Sequence, residues 1–82
     1  MQQHVFTLYQ HFLTELEHAK NNPSAQRIFR AVEAYDTLYS NLSHPAQLKL
    51  ERRIRSELPV EWRLWRRCAE SYRRWPECFR QH

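Results

Sequence analysis

The sequence predicts an all-α protein, a compact antiparallel bundle of three or four helices forming one domain over 1–82. Three observations carry that expectation. Apolar residues recur at about 100° per residue, the helical period. Four prolines, at 23, 45, 59 and 76, stand where that period breaks. Glycine is absent from all 82 residues, which removes the usual source of positive φ in tight hairpin turns. It also excludes the Gly-rich loops that cradle nucleotide phosphates.

The first helix is expected over 3–20. Val5, Leu8, Tyr9, Phe12, Leu16 and Ala19 share one face there, widened by Phe6 and Leu13. The second, over 23–42, aligns Ile28, Ala31, Val32, Tyr35, Leu38, Tyr39 and Leu42. The third, over 45–58, places Ala46, Leu50, Ile54 and Leu58 at four-residue spacing. The fourth, over 60–75, groups Trp62, Trp65, Cys68, Ala69 and Tyr72, with Leu64 and Trp75 at the margin. A short tail, 76–82, follows.

Proline is tolerated in the first helical turn, where its missing N–H has no intrahelical partner. Asn22-Pro23, Ser43-His44-Pro45 and Leu58-Pro59 therefore read as helix starts, with Asn22 and either Ser43 or His44 as caps. Trp75-Pro76 reads as a stop, because the residue before proline is pushed out of the α region. Three short connections favour antiparallel neighbours. A domain this small buries only about 60% of the surface its unfolded chain exposes, so each apolar face needs a partner.

Charge is unevenly placed. Residues 1–42 carry three basic and four acidic side chains, a net of −1, whereas 43–82 carry ten basic and five acidic, a net of +5. On a helical wheel Arg63, Arg66, Arg67, Arg73 and Arg74 fall within roughly 120°, opposite the tryptophans, with Glu70 among them. The third helix adds Lys49, Arg52, Arg53 and Arg55 on its outer side. Arginine outnumbers lysine 11 to 2, and its planar fork grips carboxylate or phosphate with two hydrogen bonds. The competing reading is a solvated helix face with no ligand.

The function expected from this pattern is that of a non-catalytic binding protein: a small adaptor, inhibitor or regulatory subunit. It would dock an arginine-rich helical face on an acidic surface of a larger protein. Arg63, Arg66, Arg67, Arg73 and Arg74 would supply charge, with Arg52 and Arg55 beside them and Trp75 and Phe79 as apolar anchors. Tryptophan and arginine are enriched at interface hot spots.

The alternative is a nucleic-acid-binding accessory protein that grips backbone phosphates through the same arginines. A helix-turn-helix over 45–74 is a poor fit. Its turn lacks glycine, and its second helix offers no Asn, Gln or Ser on the arginine side to read bases. Self-association is a third possibility, through Phe6, Leu13 or Leu48 at the edges of the apolar faces.

No catalytic residue, cofactor or metal is expected, and the chain does not read as an enzyme. His4, His11 and His18 recur every seven residues with Glu15 between the last two. This row lacks the His-Glu-x-x-His spacing of a helical zinc site and reads as a solvated flank. Asp36, the sole aspartate, has no serine or histidine placed as in a triad. Cys68 sits on the apolar side of the fourth helix, and Cys78 follows its end. Reduced thiols in a cytoplasmic protein are the expectation, with a Cys68–Cys78 bridge as the alternative.

No run approaches the roughly 18 apolar residues of a membrane span. The opening Met1-Gln2-Gln3-His4 lacks the features of a secretion signal. A membrane partner is not expected, because the apolar side of the basic fourth helix is needed to complete the bundle.

Overall fold

A computed structural model describes the backbone of residues 2–79 and the side chains of 4–77. It is all-α: α1 (Gln2–Asn21), α2 (Ala25–Ser40), α3 (His44–Glu57) and α4 (Glu61–Arg74), then a 3₁₀ turn at Pro76–Phe79. All four expected helices form, with boundaries that move by one or two residues for local reasons.

The start of α2 is capped by Ser24, not Asn22. Ser24 has extended backbone, φ −150° and ψ 162°, and its Oγ accepts a hydrogen bond from the Arg27 N–H at 3.2 Å. Pro23 thus precedes the cap instead of opening the helix. The far end of α2 stops at Ser40, short of the expected 42. There the Asn41 and Leu42 N–H groups tighten onto Leu38 and Tyr39. The Ser40 and Asn41 side chains donate to the carbonyls of Asp36 and Thr37. Carbonyls left over at a helix end are satisfied in this way.

Ser43 is the N-cap position of α3, with Pro45 in the first turn and no side-chain capping bond. Leu58 leaves the helix at φ −133° and ψ 65°, its N–H still bound to the Ile54 carbonyl. Pro59 and Val60 form the turn into α4, which begins at Glu61. The Trp75-Pro76 stop stands where the sequence put it: Trp75 has φ −131° and ψ 62°.

Helix α2 is central. Its start lies by the end of α1 and its end by the start of α1, since Leu8, His11 and Glu15 share a hollow with Phe29, Arg30 and Thr37, while Val5 and Phe6 share another with Leu42. Against α4 the order also reverses, because Phe29 stacks on Tyr72 at 4.7 Å and Tyr35 meets Trp62 at 4.9 Å. Both helices therefore run antiparallel to α2. Ala31 and Ala34 on α2, Ala19 on α1 and Ala69 on α4 are all buried, and small side chains let helix axes approach closely.

Helix α3 reaches the core through Leu50, Ile54 and Leu58, each no more than 5% exposed. Polar ties hold it to its neighbours. The Tyr39 hydroxyl donates to Glu51 at 2.6 Å and Gln47 donates to the Tyr39 carbonyl at 2.8 Å. Arg53 donates to the Tyr9 hydroxyl at 2.8 Å, and Lys20 pairs with Glu57 at 3.4 Å.

The core is one cluster around Phe12, Leu38 and Ile54, with Trp65 buried and Trp62 packed against it. Tyr35 joins its parts, edge-on to Phe12 at 5.7 Å and tilted on Trp62. Such aromatic pairs add about 0.5–1.5 kcal/mol beyond simple burial. No charged or polar residue is buried among the described residues.

Candidate functional site

Four of the five arginines of α4, Arg63, Arg66, Arg67 and Arg73, line one cleft in the folded chain, but they differ in what they engage. Arg66 and Arg73 lie along the seam with α2. Arg66 sits 3.4 Å from Asp36, and Arg73 pairs with Glu33, 4.0 Å from Asp36 and 3.7 Å from Glu70. The hydrogen bond to Glu33 is the main reason the Arg73 guanidinium holds its proton more tightly than usual, with the nearby carboxylates adding to it.

Each of these guanidiniums also covers an aromatic ring. Arg66 is 5.9 Å from the centres of both Tyr35 and Trp62, and Arg73 is 5.8 Å from that of Phe29. The expectation that the arginines stand opposite the tryptophans is corrected at this point. The seam edge of the row lies on Trp62, because a guanidinium is attracted to an aromatic face while keeping contact with water.

Arg63, Arg67 and Arg74 are exposed on the other side of the row, and among the described residues none has an ion pair or hydrogen bond from its side chain. Arg63 and Arg67 border a cleft of about 620 Å³ whose apolar lining is Val32, Leu58, Pro59, Trp62 and Ala69. Arg55, Arg66 and Arg73 complete its basic lining, against the carboxylates of Asp36 and Glu70. It is built by α2, the end of α3 with the turn that follows it, and α4 from Trp62 to Arg73. Asp36 and Glu70 offset Arg66 and Arg73, so the unbalanced charge comes from Arg63 and Arg67.

Other expected site residues fall elsewhere. Arg74 lies outside the cleft lining. Trp75 is 60% exposed, at the junction of α4 and the 3₁₀ turn. Arg52 is exposed on α3, away from the cleft, without an ion pair among the described residues. Arg55 reaches the cleft while 3.9 Å from Glu51. The side chains of Phe79 and Cys78 lie outside those described, so the anchor expected at Phe79 and a thiol role at Cys78 have no structural account.

Sequence reasoning missed the acids of α2. Glu33 and Asp36 are three residues apart and so share a helix edge, which was a usable signal. Nothing in the sequence aims that edge at α4. It also missed Val60, which is 71% exposed, and the part Trp62 plays as cleft floor as well as core.

No group of three or more His, Cys, Asp and Glu side chains able to hold a metal ion occurs among the described residues, His11, Glu15 and His18 included. Cys68 is a free, half-buried thiol whose pKa is pushed up by burial, the opposite of an activated thiolate. No helix among the described residues is long and apolar enough to cross a membrane. In comparisons with protein families, curated proteins and solved structures, nothing matches this chain.

Proposed function

We propose that the protein is a non-catalytic binding protein, a small adaptor, inhibitor or regulatory subunit, that docks the outer side of α4 on an acidic surface of a larger protein. One observation carries this reading. Arg63 and Arg67 border a cleft with an apolar floor and have no partner among the described residues, while their neighbours Arg66 and Arg73 are engaged with α2. A carboxylate presented there meets planar donors that need not break an existing pair. The apolar floor gives the contact a component that salt does not screen.

The test uses the tagged full-length protein to isolate a partner from its source cell and then measures affinity with purified components. Reversing charge at Arg63 and Arg67 together should weaken binding by about tenfold or more, corresponding to about 1.4 kcal/mol. Arg30→Glu, on the α1 side of α2, should change it by less than about twofold. Equal affinity for all variants would overturn the placement. Random-sequence duplex nucleic acid is titrated in parallel at about 50 and 200 mM salt. Binding to it that collapses at the higher salt would make the arginines a phosphate grip instead.

A further inference from the structure

A second apolar row that the bundle does not use runs from Val60, just before α4, through Leu64 to Trp75, just after it. Val60, Leu64 and Trp75 are 71%, 58% and 60% exposed. With the helical period of about 100° per residue continued through the two cap positions, they fall within an arc of about 60° that exposed Ser71 shares, on the side away from Ala69 and the seam with α2. They make up three of the five large exposed hydrophobic side chains among the described residues. Such residues scatter singly over most monomer surfaces, and their alignment on one side of a helix beside unpaired charge is what makes this side a candidate interaction face. From Val60 to Trp75 is fifteen residue steps, about 22 Å along the axis of α4.

Its borders differ. Along one side run Arg63, Arg67 and Arg74, within an adjoining arc of about 40° and without partners among the described residues. The other side holds half-buried Cys68 and, near the start of the helix, Glu61. Apolar contact and positive charge therefore lie in parallel tracks, in a fixed left–right order.

We propose that this face of α4 is the docking track for an amphipathic α-helix of another protein, one with acidic residues along a single flank of its apolar stripe. The inference rests on the protein-binding reading above and specifies what the partner presents. A helix laid along α4 fills the Val60–Leu64–Trp75 row with its own apolar side chains. Its acidic flank then meets the three guanidiniums.

Charge complementarity selects this occupant over the others. A bilayer surface favours basic residues on both sides of an apolar stripe, and here one side carries Glu61. A second copy of the chain would bring three more arginines and only one glutamate to the same strip, and the repulsion opposes pairing. Nucleic acid would satisfy the arginines and leave the apolar row stranded. An extended peptide would find no free backbone edge on a helix to pair with.

The experiment uses the full chain and a synthetic, fluorescently labelled helical peptide of about 18 residues. Leucines recur at three- and four-residue spacing, and glutamates fill one flank. A twin peptide carries lysine in place of glutamate. Anisotropy titrations should show binding of the glutamate peptide in the micromolar range and none of the lysine peptide. Leu64→Ala and Trp75→Ala, both at exposed positions and checked for unchanged unfolding, should each weaken it by about fivefold or more. The charge-reversed Arg63→Glu/Arg67→Glu variant should lose the glutamate peptide and gain the lysine one.

Glutamate-peptide binding that Leu64→Ala and Trp75→Ala leave unchanged would overturn the helix track while leaving acidic docking intact. No binding at about 1 mM peptide would overturn it as well. Binding to phosphatidylserine vesicles that depends on Leu64 and Trp75, without peptide binding, would reassign the strip to a lipid surface. A dimer in sedimentation that Leu64→Ala dissolves would reassign it to a second copy. The broader protein-binding reading fails separately, if charge reversal leaves affinity for the natural partner unchanged.

Discussion

The Arg66 guanidinium lies 3.4 Å from the carboxylate of Asp36, the one aspartate in the chain, across the seam between α4 and α2. The pair sits beside the aromatic floor of Tyr35 and Trp62, over which Arg66 extends at 5.9 Å from each ring centre. With Arg73 on Glu33 it spans the seam between the two antiparallel helices. It also divides the arginine row, because Arg66 and Arg73 are engaged with carboxylates of α2 while Arg63, Arg67 and Arg74 have no partner among the described residues.

That division predicts unequal mutational costs. Arg73→Ala should destabilise the fold by up to about 1 kcal/mol, and a double-mutant cycle with Glu33→Ala should return a coupling of about 0.2–1 kcal/mol. This is the range of partly exposed ion pairs. Arg63→Ala and Arg67→Ala should stay within about 0.5 kcal/mol of the parent. Urea unfolding midpoints distinguish the two classes. Equal costs at all four positions would mean that the seam pairs contribute nothing particular.

The two serine caps should also differ. Ser24 accepts the Arg27 N–H, whereas Ser43 makes no side-chain capping bond. Ser24→Ala should therefore lower stability by about 1 kcal/mol. Ser43→Ala should change it by less than about 0.5 kcal/mol, with Pro45 already constraining the first turn of α3. Thermal unfolding of the two variants side by side is sufficient to check this.

Burial separates two aliphatic positions, one on the apolar face of its helix and one at the margin. Ile54 is 1% exposed and Leu64 is 58% exposed. Ile54→Val should cost about 0.5–1.5 kcal/mol by leaving a methyl-sized gap in the core. Leu64→Ala, a larger truncation, should cost less than about 0.5 kcal/mol. A greater loss at Leu64 would mean that it packs within the folded chain in solution.

Two titrations should shape stability at the pH extremes. The hydrogen bond from Arg53, with that from Lys20, holds Glu57 below the usual carboxylate range despite some burial. A folded-state pKa below the unfolded one contributes stability above the unfolded value, about 4.3, and loses it as pH falls through the folded value. Glu57→Gln should flatten that acid limb.

At the alkaline end burial, reinforced by Glu51, pushes Tyr35 up to about 12. Its contribution is complete below the unfolded value, about 10, and is lost as pH rises through 12. Tyr35→Phe should shallow the decline over that interval. Phenolate absorbance should likewise show the last-titrating tyrosine disappearing.

The acidic flank of α2 was visible as Glu33 and Asp36 at three-residue spacing, and the basic row of α4 as five arginines within one arc. Their meeting was not visible. Ion pairs between helices depend on how each helix is rotated about its axis, and for α4 two amphipathic solutions compete. Trp62, Trp65 and Ala69 define one apolar side, while Val60, Leu64 and Trp75 define another. The seam takes the side with Ala69, where a small side chain lets α4 approach α2, and leaves the second side outside.

The sequence by itself determined the four helices and their punctuation by proline. It also determined the core positions Phe12, Leu38, Leu50, Ile54 and Trp65, because backbone propensity and apolar period act over a few residues. Tertiary structure decided which carboxylates Arg66 and Arg73 would meet, and that Arg63, Arg67 and Arg74 would be left without partners among the described residues. It also decided that Val60, Leu64 and Trp75 would line up beside them in solvent. Those outcomes follow from the rotation and register of α4 on α2, which are set by the packing of Ala69 and Trp62 against a helix some thirty residues away in the chain.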